Sequence, residues 1–147
     1  MLVHQNGGAA FSVGKSRFTD RAPGSEEPTP KIFIRIQPEA LGGVIFAQLD
    51  TAAAWTIFDA SVAEALSLLD GTGDLIPLST RKGQFRGRLA RTPLDIVADE
   101  GESLTVEATV WVCPDWTHGT FLGYAGLLER IRFALDPSND FFYFGPI

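Results

Sequence analysis

The alternation of apolar and polar residues constrains the fold of this sequence more than any other feature. Between Leu104 and Val112 every second residue is Leu, Val or Ala, and the residues between them are Thr, Glu or Trp. Residues 32–36 repeat this period of two, which places three isoleucines on one face of a strand. Residues 44–49 are almost continuously apolar, as expected for a strand that is buried on both faces. The pattern predicts an all-β domain.

One segment has the spacing of a helix instead of a strand. Its apolar residues between positions 62 and 69 recur every three or four residues, which places them on one helical face. Ser61 and Glu64 form the pattern of a capping box at its start. We therefore predict a helix over residues 61–69, and a second short helical segment near residues 125–130.

Two polar turns separate the remaining apolar segments. Residues 79–84 lie between strand-like segments at 75–78 and 85–89, which predicts a hairpin with an exposed, flexible tip. A second turn, at 98–102, separates a strand at 94–97 from the long alternating strand. Many short strands, regular turns and one capped helix are typical of a small barrel-like β domain.

The first thirty residues differ in composition from the rest of the chain. They are rich in glycine, serine and charged residues, and three prolines among residues 23–30 exclude a helix there. We predict an N-terminal arm over residues 1–30, partly flexible, and a single domain over residues 31–147. The arm has three apolar residues that are candidates for docking it on the domain: Phe11, Val13 and Phe18.

Charge and cysteine content exclude several partners and compartments. The net charge of −6 gives no attraction to nucleic-acid phosphates or anionic lipids, so we expect neither nucleic acid nor membrane as a partner. Cys113 is the only cysteine, which excludes an internal disulfide and fits a reducing compartment. The start of the chain does not resemble a signal peptide, and no apolar stretch approaches the roughly 20 residues of a membrane helix. We expect a soluble, cytoplasmic protein.

Familiar cofactor and catalytic motifs are missing. The segment AAFSVGKS ends like a phosphate-binding loop, but Ala9 stands where the first glycine of that loop is required. His4 and His118 are the only histidines, and His118 lies in a polar loop typical of the surface. With one cysteine besides, we predict no metal site and no cofactor.

Asp50 directly follows the apolar segment 44–49, where a carboxylate is costly unless it has partners or a chemical role. It begins the sequence Asp50-Thr51-Ala52-Ala53, which resembles the Asp-Thr/Ser-Gly-Ala signature of the retropepsin-like aspartic peptidases. The second signature of that family is a pair of apolar residues and a glycine, followed by a short helix and a strand. Residues 121–133 are similar to it, with Leu122 and Gly123 at its centre. The resemblance covers residues 31–146.

The resemblance implies a fold and a chemistry. The fold is a small closed acid-protease β-barrel with one or two short helices and a flap hairpin, which closes over an extended peptide or unfolded protein. The tip of that flap would contain Thr80, Arg81, Gly83 and Gln84. Asp50 would be the catalytic residue, supported by Thr51 and Ala52. Because the chain has one Asp-Thr element, a catalytic pair requires a homodimer with Asp50 from each chain.

Ala52 departs from the family pattern, since the family has glycine at this position. A Cβ there crowds the approach of a substrate backbone, although the N–H group is kept. Trp55 is also bulky for a residue beside such a loop. Two functions therefore stay open: a homodimeric aspartic endopeptidase, and a catalytically impaired domain that dimerises or binds peptides. A third possibility is a β domain of another kind whose motifs match by chance.

Overall fold

A computed structural model describes the whole chain, residues 1–147. It contains one α-helix, α1 (Ala60–Ala65), and two short 3-10 helices, Glu39–Leu41 and Leu128–Arg130. The eleven strands are β1 (Gly14–Arg17), β2 (Phe33–Pro38), β3 (Ile45–Leu49), β4 (Thr56–Ile57), β5 (Ile76–Thr80), β6 (Gly83–Ile96), β7 (Glu100–Gly101), β8 (Leu104–Val112), β9 (Phe121–Leu122), β10 (Ile131–Asp136) and β11 (Phe141–Pro146). None of the helices has the length and apolar character needed to cross a membrane.

Six strands close into a barrel. Their order is β2-β3-β9-β4-β8-β6, and β6 closes the circle by pairing with β2 at Ile36 and Ile96. The pairs β3–β9 and β4–β8 are parallel, whereas the other pairs in the barrel are antiparallel. β5 pairs only with β6 and extends from the barrel as a hairpin. The prediction of an all-β fold with a small closed barrel is confirmed.

The alternating pattern buries one face of the barrel strands in a single core. In β8, Val106, Ala108 and Val110 lie in this core. Trp111 points to the other side of the same strand, where it is fully buried in a second, smaller cluster with Ile57, Cys113 and Trp116. The second cluster lies under β5 and the start of β6, since Ile76, Leu78 and Phe85 pack against it. One strand thus supports both the barrel and the hairpin.

The strand β6 is longer than the sequence predicts. It runs without a break over 14 residues, whereas we predicted separate strands at 85–89 and 94–97. Its first part pairs with β5 in the hairpin, and its later part pairs with β8 and β2 in the barrel. Because these two parts pack against different clusters, no single apolar period runs through the strand.

A second sheet has the order β10-β11-β1-β7 and includes a strand from the predicted arm. β1 has the sequence Gly-Lys-Ser-Arg and no apolar alternation, so the sequence does not predict it. It forms because it pairs with β11 on one side and with β7 on the other. Gly14 is needed in β1, because a Cβ there would lie 2.3 Å from the carbonyl oxygen of Glu102.

The N-terminus of α1 differs from the prediction. The cap is Asp59, whose Oδ1 accepts hydrogen bonds from the backbone N–H of Ser61 (2.9 Å) and from its hydroxyl (2.7 Å). A capping box centred on Ser61 is therefore wrong. The helix also ends at Ala65 instead of residue 69, because the chain turns at Ser67, which has a φ of 56°.

Candidate active site

Asp50 lies immediately after β3, where the chain turns sharply. Its Oδ1 accepts hydrogen bonds from the backbone N–H groups of Ala52 (3.0 Å) and Ala53 (3.2 Å). The Ala53 N–H is also 3.1 Å from the carbonyl oxygen of Asp50. Hydrogen bonds of this kind fix the orientation of a carboxylate. The other oxygen, Oδ2, accepts no hydrogen bond within the chain.

The two signature segments lie against each other. The Asp50 N–H donates to the carbonyl oxygen of Leu122 (3.0 Å), and the N–H of Tyr124 donates to the carbonyl oxygen of Ala53 (2.9 Å). The hydroxyl of Thr56, which is fully buried, accepts from the N–H of Gly123 at 3.1 Å and donates to the Gly123 carbonyl oxygen at 3.3 Å. The segment around Gly123 therefore supports the turn that holds Asp50.

Gly123 allows this contact because it has no side chain. A Cβ at this position would lie 2.0 Å from the carbonyl oxygen of Trp55 and 2.9 Å from that of Ala53. Backbone atoms cannot move away without opening the loop, so only glycine fits here. The structure thus brings Leu122 and Gly123 into direct contact with the Asp50 loop.

Ala52 has no backbone strain. Among the residues other than glycine, only Ser67 and Asp140 have a positive φ, so Ala52 adopts a conformation open to any L-amino acid. Its side chain and that of Thr51 are exposed on the surface beside Asp50. The bulk of Trp55 is accommodated by the smaller cluster around Trp111, against which it packs. The Ala52 Cβ therefore does not strain the fold, and it can affect only a molecule that approaches the site from outside.

An open cleft of about 910 Å³ contains Asp50. Asp50, Ala52, Ala53 and Ala54 line one part of it, and the hairpin of β5 and β6 lines another. We call this hairpin, residues 76–87, the flap. The predicted flap-tip residues Thr80 and Arg81 line the cleft, whereas Gly83 and Gln84 lie outside its lining.

The turn at the tip of the flap consists of Arg81 and Lys82, between the paired residues Thr80 and Gly83. The Thr80 hydroxyl accepts from the N–H of Lys82 at 3.0 Å and donates to the carbonyl oxygen of Gly83 at 3.2 Å. Gly83 has a φ of 122°, which favours glycine. The tip is thus a short turn with both of its charged side chains exposed.

Gly87 fixes the base of the flap. It is buried, and a Cβ there would lie 2.4 Å from the ring of Trp111 and 2.5 Å from the carbonyl oxygen of Val112. The Trp111 indole N–H donates to the carbonyl oxygen of Ile76 at 3.0 Å, which holds the opposite strand. The glycine is required here by close packing.

The cleft has an aromatic wall that the sequence patterns do not predict. Trp116, His118 and Phe121 line it together with the flap, although His118 is exposed. The Trp116 ring contacts that of His118 edge to face at a centroid distance of 5.0 Å, and that of Phe85 at 5.2 Å. A tryptophan in the otherwise polar segment 115–119 was the available signal, because such a residue is seldom left in solvent.

Asp59 positions this wall. Its Oδ2 accepts a hydrogen bond from the N–H of Gly119 (3.0 Å), whose carbonyl oxygen accepts from the Trp116 indole N–H (2.8 Å). Burial by itself raises the pKa of Asp59, but the hydrogen bonds from Ser61 and Gly119 and the charge of His118 outweigh it. The net result is that the pKa of Asp59 lies below its ordinary value. One carboxylate thus caps α1 and holds the loop of the aromatic wall.

The connection between β1 and β2 forms a further side of the cleft. Ala22, Ser25, Glu27 and Lys31 from this connection line the same cavity as Asp50. Most of this segment belongs to the predicted arm, because its prolines and polar residues have no strand or helix pattern. No cluster of three or more His, Cys, Asp or Glu side chains has the arrangement of a metal site.

The closed barrel of six strands, with a single short α-helix, matches the small barrel of the retropepsin-like fold. The chain is similar to the crystal structure of a retropepsin-like aspartic protease from Rickettsia conorii, with a TM-score of 0.57 and 18% sequence identity. That likeness covers 88% of this chain and 98% of the other chain, so it extends over the whole domain. No protein-family model and no curated protein matches the sequence.

Proposed function

We propose that this chain is one half of a homodimeric aspartic endopeptidase, in which Asp50 of two copies forms the catalytic pair. The observation that supports it best is the state of the Asp50 carboxylate. Oδ1 is held by two backbone N–H groups, and Oδ2 has no hydrogen-bond partner within the chain. The carboxylate faces a cleft large enough for an extended peptide, beneath a hairpin.

The need for a second copy follows from the chemistry. Peptide hydrolysis of this type requires two carboxyl groups about 3 Å apart, of which one is ionised and one protonated. The chain supplies one such group, and no other aspartate or glutamate lies on the Asp50 loop. Thr51, exposed beside Asp50, is available for hydrogen bonds across a two-fold axis.

In the proposed mechanism a water molecule lies between the two carboxyl groups. The ionised carboxylate takes a proton from this water, whose oxygen attacks the carbonyl carbon of the peptide, while the protonated carboxyl gives its proton to the carbonyl oxygen. The resulting diol breaks down when the C–N bond cleaves. The first carboxyl then passes its proton to the leaving nitrogen, and the second takes a proton back from a hydroxyl of the diol. The products are a carboxylic acid and an amine.

The second candidate function is a catalytically impaired domain that dimerises or binds peptides. It is favoured by Ala52, which lines the cleft next to Asp50 and places a methyl group where the family has none. The two functions share the fold and the cleft, and they differ only in whether the assembled site cleaves.

The test is an assay of purified protein on unfolded protein and on a peptide library between about pH 3 and 7. The Asp50→Asn variant serves as the control, together with a pepstatin-type inhibitor. Cleavage that both the variant and the inhibitor abolish supports the endopeptidase. A dimer that binds peptides but leaves them intact supports the impaired domain instead.

A further inference from the structure

The cleft differs in charge from the rest of the protein. The whole chain has a net charge of −6, yet three cationic side chains line the cleft: Lys31, Arg81 and Lys82. Apart from Asp50 itself, Glu27 is the only acidic residue in the lining. The lining thus carries three positive and two negative side chains, and an excess of one sign of charge attracts ligands of the opposite sign.

None of these cations is neutralised by the protein. The chain contains four ion pairs, and none involves Lys31, Arg81 or Lys82. Arg81 and Lys82 form the exposed turn of the flap, and neither side chain makes a hydrogen bond within the chain. Their charges are therefore available to a molecule that lies in the cleft.

Lys31 reaches the cleft because the connection between β1 and β2 is folded back on itself. The Arg21 side chain donates from Nε to the carbonyl oxygen of Glu27 (2.8 Å) and from Nη2 to that of Pro28 (3.4 Å). The N–H of Lys31 donates to the carbonyl oxygen of Asp20 at 2.9 Å, which closes the connection at its base. A cation is thereby held on this side of the cleft, in addition to those on the flap.

We propose that the cleft selects extended peptides with aspartate or glutamate side chains. This rests on the proposed function in one respect, since it takes an extended peptide as the ligand. Arg81 and Lys82 pair with acidic side chains of the bound peptide as the flap covers it, and Lys31 pairs with one on the side of the β1–β2 connection. Glu27 opposes this preference and limits it.

The experiment measures binding to the Asp50→Asn variant, which keeps the peptide intact. Two fluorescent peptides are compared at low ionic strength: one carries Asp and Glu, and the other carries Asn and Gln at the same positions. Exposed ion pairs contribute up to about five-fold in affinity each. We expect the acidic peptide to bind at least about five-fold more tightly, and this difference to shrink in 0.5 M NaCl because salt screens exposed charges.

Charge-reversal substitutions identify the residues that cause the preference for acidic peptides. Arg81→Glu, Lys82→Glu and Lys31→Glu, each introduced into the Asp50→Asn protein, should weaken or reverse the preference, and Glu27→Gln should increase it. Arg86→Glu is the matched control, because Arg86 is exposed on the same flap but does not line the cleft. It changes the net charge by the same amount and should leave the preference unaltered.

Equal affinity for the two peptides, or binding of neither, overturns the inference. So does an Arg86→Glu effect as large as that of Arg81→Glu, since the preference would then arise from overall charge. The proposed function fails separately: if wild-type protein leaves both peptides uncut while the charge preference persists, the catalytic proposal is overturned and the inference stands.

Discussion

Thr56 and Gly123 exchange two hydrogen bonds through one hydroxyl group, at 3.1 Å and 3.3 Å, although they are 67 residues apart in the chain. The pair joins the segment that follows Asp50 to the glycine segment that supports it. Both residues are buried, so neither the N–H nor the carbonyl group of Gly123 has water as an alternative partner.

Thr56→Val should therefore destabilise the protein. The substitution keeps the shape of the side chain but leaves the buried N–H of Gly123 without a partner, at a cost of about 1–3 kcal/mol. The Gly123 carbonyl oxygen keeps its hydrogen bond from the N–H of Leu128 at 3.2 Å. Urea denaturation measures the free energy of unfolding. Thr51→Val is the matched control: Thr51 is exposed, so its replacement should change stability by less than about 0.5 kcal/mol. Equal effects of the two substitutions would contradict the supporting role of Thr56.

Gly123→Ala should be more damaging than Thr56→Val. Its Cβ would stand 2.0 Å from the backbone oxygen of Trp55. Overpacking costs about 1–3 kcal/mol and occasionally more, and we expect the upper end here because backbone atoms are in the way. We expect a large fall in the midpoint of thermal unfolding, or loss of soluble protein. Gly43→Ala is the control, because nothing lies within 4 Å of a Cβ at that position. A Gly123→Ala protein as stable as Gly43→Ala would show that the two signature segments do not pack this closely.

Ala52→Gly should not stabilise the fold. Ala52 has no positive φ, so glycine relieves no strain and instead increases the freedom of the unfolded chain, which costs about 0.4–1 kcal/mol. Chemical denaturation measures this loss, and a gain in stability would contradict the described backbone. Cleavage rates measured on the same variant address function: a rise of many-fold would favour the impaired domain, with the Ala52 methyl group as the cause.

Asp59 should make the stability of the protein fall at acidic pH. Its pKa is lowered in the folded protein, so its contribution is fully present above the unfolded value, about 3.9, and is lost as pH falls through the folded value. Asp59→Asn should lower the thermal midpoint at pH 7 and make its fall below about pH 4 less steep. Asp115→Asn, at an exposed residue with no hydrogen bond in the chain, should keep the wild-type profile. Parallel profiles for Asp59→Asn and wild type would contradict this role.

The sequence predicts those strands in which the local order of apolar and polar residues shows which side chains are buried. The alternation in β8 and the apolar run before Asp50 identify barrel strands, because each residue's face is set by its neighbours in the chain. The resemblance of residues 121–133 to the second signature also singles out Gly123, although it does not predict the contact of Gly123 with the Asp50 loop. These inferences need no knowledge of distant partners.

The remaining features depend on contacts between distant segments. β1 has no apolar pattern and exists because β11 and β7 supply its hydrogen-bond partners. Glycine is required at position 87 because the ring of Trp111, which lies in another strand, leaves no room for a side chain. The β1–β2 connection is folded back toward the cleft by a hydrogen bond from the side chain of Arg21. Local composition carries no information on any of these partners, so β1 and most of the β1–β2 connection fall in the predicted arm, and no packing role is predicted for Gly87.

The central claim is that two chains share one catalytic pair, and mixing experiments test it most directly. Wild-type protein and Asp50→Asn are unfolded together, refolded at fixed total concentration in varied ratios, and assayed for peptide cleavage. If each active site needs Asp50 from both chains, activity follows the square of the wild-type fraction, so an equal mixture keeps about a quarter of it. Activity that falls in simple proportion, to about half in the equal mixture, would show that each chain acts alone and would contradict the account.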